Sequence, residues 1–130
     1  MSEFAKSLSV ATSGLQSQAM RLRHLSENIS NADTPGYRRK TVSFETAFAA
    51  GSGVSKVSVG RVHTDQSALA CIYDSSHPMA DQSGHYEGSN VDLMIELADA
   101  REAHRSYEAN LKMFEQTRKM SSSLMELLRR

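Results

Sequence analysis

Asp74, His77, Asp81 and His85 are the residues in this chain whose types and spacing come nearest to a metal site. Spacings of three and four would bring two carboxylates and two imidazoles onto one face of a helix, where they could ligate a divalent cation. Pro78 and Gly84 argue against a helix there, and no further Cys/His pair completes a ligand set. A small metal-dependent enzyme is an alternative that stoichiometric metal in the purified protein would revive. Cys71 is the single cysteine, so no internal disulfide forms. Between Ala70 and Ile72 it reads as a small buried hydrophobe, not as a nucleophile. His104 reads as a packing residue, and Ser121-Ser122-Ser123 as the polar face of a helix. Nucleophile elbow, phosphate loop and dinucleotide fingerprint do not occur. Arg38-Arg39-Lys40 reads either as a solvated loop or as a contact with an acidic neighbour, since interface charges set register and partner choice. The chain is expected to be no enzyme and to use no cofactor.

Composition narrows the class further. Fifteen Lys and Arg balance 15 Asp and Glu, for a formal net charge of zero. That argues against a nucleic-acid binder, which needs an excess of cations, and it favours association. Aromatics make up 6% and Trp is absent, which is sparse core material for a globule of 130 residues. No apolar run approaches the ~20 residues of a membrane span, so no membrane insertion is expected. Met1-Ser2-Glu3-Phe4-Ala5-Lys6 lacks a basic start with an apolar stretch behind it. Any export is therefore expected to use a route without a cleaved signal peptide.

Three segments must position these residues: 1–31, 32–88 and 89–130. In the first, Phe4, Leu8, Ala11, Leu15, Gln18, Leu22, Leu25 and Ile29 alternate spacings of four and three, a heptad seam on a helix from about Phe4 to Asn31. Such a helix is on the order of 40 Å long. In the second, Pro35 forbids helical geometry at Thr34, and Pro35-Gly36 suits a type II turn. Thr41–Phe44, Val57–Val62 and Ala68–Tyr73 have strand-like composition between Gly and Ser clusters. In the third, Ser89 with Asp92 fits a capping box, and Asn90 is also a good cap. Leu93, Leu97, Ala100, His104, Tyr107, Leu111 and Phe114 form a second four-three seam. Beyond Phe114 the stripe drifts to Met120, Leu124, Met125, Leu127 and Leu128, as a helix does when it changes partners. Acidic residues at the start and basic ones at the end suit the helix dipole, and the helix is on the order of 55 Å long.

The expected fold is mainly α. The long N- and C-terminal helices pack as an antiparallel coiled coil, and the middle segment is small and β-rich or irregular. The simplest partner for each seam is the other helix. Two helices leave much surface over, and Met20, Met94, Ile95, Met113 and Met125 are expected to touch other molecules. Self- or hetero-assembly is preferred to a monomer.

Ser9-Val10-Ala11-Thr12-Ser13-Gly14-Leu15-Gln16 and Glu27-Asn28-Ile29-Ser30-Asn31-Ala32-Asp33-Thr34-Pro35-Gly36-Tyr37 resemble the N-terminal signature of the bacterial flagellar axial proteins, the rod and hook family. Asn90-Val91-Asp92 and Arg105-Ser106-Tyr107-Glu108-Ala109-Asn110 resemble that family's C-terminal helix. His77-Pro78-Met79-Ala80-Asp81-Gln82-Ser83-Gly84-His85-Tyr86 is similar to the segment before it in the family's proximal-rod members, of the C type and not the sister B type. Glu87-Gly88-Ser89 departs from the family form.

The resemblance implies a structural subunit of the basal-body proximal rod. That tubular shaft crosses the periplasm, transmits torque and encloses the export channel. Implied partners are other proximal-rod subunits, copies of the same chain, the rotor-base adapter, the distal rod protein and the flagellar export apparatus. Asn28, Asn31, Asp33, Pro35, Gly36 and Tyr37 would shape the turn after the first helix. Leu8, Leu15, Leu22, Leu25 and Ile29 would form one assembly seam, and Leu93, Leu97, Tyr107, Asn110, Leu111 and Phe114 the other. The alternatives are the B-type sister and a cytoplasmic coiled-coil adaptor or export chaperone. Such chaperones are typically acidic, whereas this chain is neutral.

Overall fold

The Ser2 hydroxyl accepts a hydrogen bond from the Ala5 amide at 3.1 Å and so caps the first helix, α1 (Glu3–Ser30). Glu3 in the opening turn complements the dipole. The computed structural model describes residues 2–48 and 50–129. After α1 come strands β1 (Lys40–Phe48) and β2 (Ser55–Thr64), then β3 (Cys71–Tyr73) and β4 (His85–Glu87), then helix α2 (Leu93–Arg129). β1 and β2 form an antiparallel hairpin with a register shift between Val42 and Phe44. β3 and β4 form a separate antiparallel ribbon. The hairpin strands run longer than the expected Thr41–Phe44 and Val57–Val62, whereas Ala68–Tyr73 shortens to the three residues of β3.

α1 is the central element, packed on α2 and on the hairpin. Asn28 meets Glu96, Arg21 reaches Asp99 and Glu102, and Gly14 faces Asn110. Phe4 shares a groove with Met120 and Leu124. Numbers fall along one helix as they rise along the other, so the pair is antiparallel. α1 buries small residues, namely Ala11, Ser13, Gly14 and Ser17, and Gly14 is the one that lets α2 come close. A Cβ on Gly14 would lie 2.9 Å from the Asn110 amide group. On the hairpin side, the Ser13 hydroxyl accepts from the Val57 amide at 3.2 Å and the Ser17 hydroxyl donates to the Val57 carbonyl at 3.4 Å. One turn of helix thereby satisfies a backbone edge that would otherwise need another strand.

The seam of α2 is not where the apolar periodicity puts it. Leu93, Leu97, His104 and Leu111 are exposed, while Glu96 and Ala103 are fully buried. Tyr107, Asn110 and Phe114 are half-buried. The face turned to α1 runs through Glu96, Ala103 and Asn110, next to the leucine stripe and not along it. The reason is chemical: α1 presents Gly14, Arg21 and Asn28 there, and these call for small or polar partners. On α1, Leu25 and Ala11 are buried, whereas Phe4, Leu8, Leu15, Leu22 and Ile29 keep part of their surface. Gln18, the polar interruption of that seam, holds its Oε1 buried without a hydrogen-bond partner among the described residues.

Two further expectations are corrected. The α2 cap is Asp92, not Ser89 or Asn90: Asp92 accepts the Met94 amide on its side chain and the Glu96 amide on its carbonyl, both at 3.0 Å. Ser89 and Asn90 are engaged elsewhere, as described below. Cys71 is exposed, because the two-stranded ribbon that carries it has no second layer over that face.

Candidate functional site

The turn after α1 is assembled as its sequence dictates. Asn31 caps the helix, its backbone and side-chain nitrogens both donating to the Glu27 carbonyl. The Thr34 hydroxyl donates to Asn31 Oδ1 at 3.1 Å. The Tyr37 amide closes onto the Thr34 carbonyl at 3.2 Å, with Gly36 at φ 76, the geometry of a type II turn with Pro35 and Gly36 at its centre. Asp33 and Gly36 are exposed, and Pro35 and Tyr37 are half-buried. The Gly36 amide reaches the Gly88 carbonyl at 3.0 Å, and the Ser89 hydroxyl donates to the Ala32 carbonyl. The turn is thus fastened to the segment that leads into α2.

Asn28 and Glu96 are the largest fully buried side chains among the described residues. Asn28 uses all of its hydrogen-bonding capacity. Its Oδ1 accepts from the Tyr37 hydroxyl at 2.8 Å and from the Lys40 amide at 2.9 Å. Its Nδ2 donates to the Lys40 carbonyl at 2.9 Å and to Glu96 Oε2 at 3.2 Å. Glu96 Oε1 receives Arg39 Nε at 2.6 Å. The rest of the Arg39 guanidinium lies 3.8 Å from Asp65 and from Asp99. The Arg39 amide donates to Asn90 Oδ1 at 2.7 Å, and Asn90 Nδ2 donates to the Asp65 carbonyl at 3.0 Å. A buried charge is tolerated when it is paired and hydrogen-bonded, and Glu96 has its ion pair on one oxygen and an amide donor on the other.

At the rim of this junction Lys40 Nζ meets Glu27 at 3.0 Å. That hydrogen bond holds the Glu27 carboxyl below its ordinary range and pushes the Lys40 ammonium up. Burial pushes the Tyr37 phenol up. The basic run at residues 38–40 therefore does meet acidic partners, and they belong to its own chain.

The residues with metal-like spacing do other work. Asp74 Oδ1 accepts the Ser76 hydroxyl and amide. Asp81 Oδ1 accepts the Ser83 hydroxyl and amide and the His85 amide. His77 stacks on Tyr86 with centroids 3.9 Å apart, and His85 meets the edge of Tyr73 at 5.1 Å. Asp65 repeats the device with the Ser67 amide at 2.8 Å. Three Asp-x-Ser turns thus shape the segment before α2. Among the described residues no group of three or more His, Cys, Asp or Glu side chains is arranged to hold a metal ion.

The opposite end of the helix pair is open. Met120, Leu124, Met125, Leu127 and Leu128 are exposed, the last at 76%. Met120, Leu124 and Leu127 border the groove that holds Phe4, whereas Leu93, Leu97 and Leu111 are exposed on another face of α2. Glu96 and Asp65 as partners of Arg39 escaped the sequence reading, and so did the depth of Asn28. One signal was available: Glu96, Ala103 and Asn110 stand seven apart, a small and polar row beside the leucines.

Residues 8–38 match the family described as flagella basal body rod protein, and residues 82–127 match the C-terminal family of flagellar basal body rod FlgEFG proteins. Asn28 and Tyr37 lie in the first stretch, and Asn90 and Glu96 in the second, so both sides of the junction fall inside matched sequence. The class is that of the flagellar basal-body rod proteins. The chain is 46% identical to the flagellar basal-body rod protein FlgC of Agrobacterium fabrum, over 92% of this chain and 91% of that protein. It is 31% identical to FlgC of Salmonella typhimurium, over 91% and 92%, and 30% identical to FlgC of Bacillus subtilis, over 93% and 95%. The chain belongs to the FlgC family of flagellar basal-body rod proteins.

Proposed function

We propose that the chain is a structural subunit of the flagellar proximal rod, the tubular shaft that crosses the periplasm, transmits torque and encloses the export channel. The observation that carries this reading is the exposed apolar surface at the two ends of α2, Leu93, Met94, Ile95 and Leu97 near its start and Met120, Leu124, Met125, Leu127 and Leu128 near its end, in a chain of a rod-protein family. Exposed apolar side chains grouped in this way mark surfaces that other protein covers. Residues 1–31 and 89–130 supply the core of the shaft, and 32–88 the outward segment. The antiparallel pair is then one part of a coiled-coil core that neighbouring subunits complete. Leu8, Leu15, Leu22, Leu25 and Ile29 form one seam, and Leu93, Leu97, Tyr107, Asn110, Leu111 and Phe114 the other. Asn28, Asn31, Asp33, Pro35, Gly36 and Tyr37 set the turn that aims the middle segment.

The partners are other proximal-rod subunits, copies of the chain, the rotor-base adapter and the distal rod protein. Delivery is by the flagellar export apparatus without signal cleavage. The role is structural, not enzymatic, and calls for no cofactor, nucleic acid or membrane insertion. Among the described residues no helix is long and apolar enough to cross a membrane. A clean deletion followed by imaging of basal bodies tests the reading. The expected result is loss of complete rods and of motility; normal rods in a motile deletant would overturn it.

A further inference from the structure

The contact between α1 and α2 repeats every seven residues. Asn28 is paired with Glu96, and Arg21 stands beside Ala103, held by Asp99 at 4.0 Å and Glu102 at 3.6 Å. Gly14 faces Asn110, and Ser7 and Thr117 line one groove. Each rung is one heptad from the next. Most rungs are small or polar groups that would accept a different partner. Moved by one heptad, Gly14 would face Thr117, Arg21 would face Asn110 and Asn28 would face Ala103, so each rung still pairs a small or polar group with another. Leu93, Leu97 and Leu111 run beside this row and keep 37–48% of their surface exposed, so they add little resistance to a shift.

The last rung is the one that is fully buried, whereas the Arg21 pairs are partly exposed. Glu96 and Asn28 are fully buried and bonded to each other, to Arg39 and to the Lys40 backbone. Any shift would take Glu96 away from Arg39 and from the Asn28 amide, leaving a buried carboxylate without its partners. One buried polar residue at a seam position is known to fix the register of paired helices in this way.

We infer that the Asn28–Glu96–Arg39 junction is a register lock: it selects one of several heptad alignments that the rest of the α1–α2 seam tolerates. The consequence is positional. The hairpin rides on α1 through Ser13 and Ser17, and the exposed stripe rides on α2. A slip of seven residues displaces one surface from the other by about 10 Å. The lock therefore sets the spacing of the two surfaces that the chain offers to neighbours.

Disulfide trapping in the full chain tests it, in a Cys71→Ser background. Gly14→Cys with Asn110→Cys reports the observed register. Gly14→Cys with Thr117→Cys reports a one-heptad slip, since bridged Cα atoms must lie within about 7 Å. With the junction intact, the first pair should oxidise and the second should not. Asn28→Ala with Glu96→Ala should raise the slipped link relative to the observed one by at least about tenfold, the equivalent of about 1.4 kcal/mol. Leu25→Ala removes a buried side chain outside the junction, and it should lower both links in parallel. If the junction variant also lowers both in parallel, or leaves their ratio unchanged, the junction is a stabilising contact and not a register lock. Should the double variant lose its helical circular dichroism, Glu96→Gln is scored by the same ratio. A smaller rise of the slipped link is then expected, and an unchanged ratio overturns the inference.

Discussion

The two ends of the helix pair are built on opposite principles. At the α1 C-terminus and α2 N-terminus, Asn28, Glu96, Arg39 and Asn90 saturate one another's polar groups inside the chain. At the other end, Phe4 lies in an open groove with Met120, Leu124 and Leu127, and those α2 residues are exposed. A buried polar group that lacks its partner is penalised heavily, so such groups must be satisfied within the fold. Exposed leucines carry no such penalty in the free chain and can wait for a neighbour. The junction is finished when the chain folds, and the far end is finished when it assembles. Helix length fits this division: α2 has 37 residues against 28 in α1, so its last turns extend past the start of its partner.

The largest stability effect should come from breaking the junction on one side. Glu96→Ala leaves Arg39 and Asn28 facing a void. It should lower the stability of the isolated chain by about 3–5 kcal/mol in chemical denaturation, as removal of one partner from a buried ion pair does. Gly14→Ala should cost about 1 kcal/mol, because the gain in helix propensity is smaller than the overpacking against Asn110. Asn110→Ala in the same chain should restore that loss, which would locate the close approach at this pair. Leu111→Asp lies on the open face and should change the isolated chain by no more than about 0.5 kcal/mol. The same substitution should abolish swimming, since it buries a charge once a neighbour packs there. Motility retained with Leu111→Asp would mean that the stripe is not an assembly seam.

Acid gives the smallest and most local effect. Hydrogen bonds from Ser67, Ser76 and Ser83 hold the Asp65, Asp74 and Asp81 carboxyls below their ordinary value of 3.8. A carboxyl depressed by folding stabilises the fold above its unfolded pKa, and that contribution is lost as pH falls through the folded one. Amides in residues 65–89 should therefore lose hydrogen-exchange protection below about pH 4. Those around Asn28, tied to several elements by buried hydrogen bonds, should lose less of theirs at the same pH. Simultaneous loss in both regions would mean that the loop turns and the junction melt as one unit.

Much of this was legible in the sequence, and the limits are physical. Both helices, their breakpoints at Pro35-Gly36 and near Asp92, and the type II turn follow from spacing and local chemistry. The facing of α2 did not follow, because hydrophobic periodicity identifies an apolar stripe without saying whether its partner lies in the same chain. Here the intramolecular face is the polar and small row Glu96-Ala103-Asn110, and the leucines are left outside. The cap was placed at Ser89 because the capping-box pattern is local, whereas the Ser89 hydroxyl is drawn to Ala32 across the fold. Cys71 was read as buried from its apolar neighbours, which assumes a second layer that the β3–β4 ribbon does not have. The pairing of Arg39 with Glu96 spans 57 residues of sequence, and no local rule reports it.

Hydrogen exchange along α2 of the isolated full-length chain, compared with the same helix in assembled basal bodies, tests the division most directly. The account predicts strong protection around Glu96 and Ala103 in both states, and near-intrinsic exchange over residues 120–129 that becomes slow only on assembly. Uniform protection of α2 in the isolated chain, or residues 120–129 still exchanging freely in the rod, would contradict it.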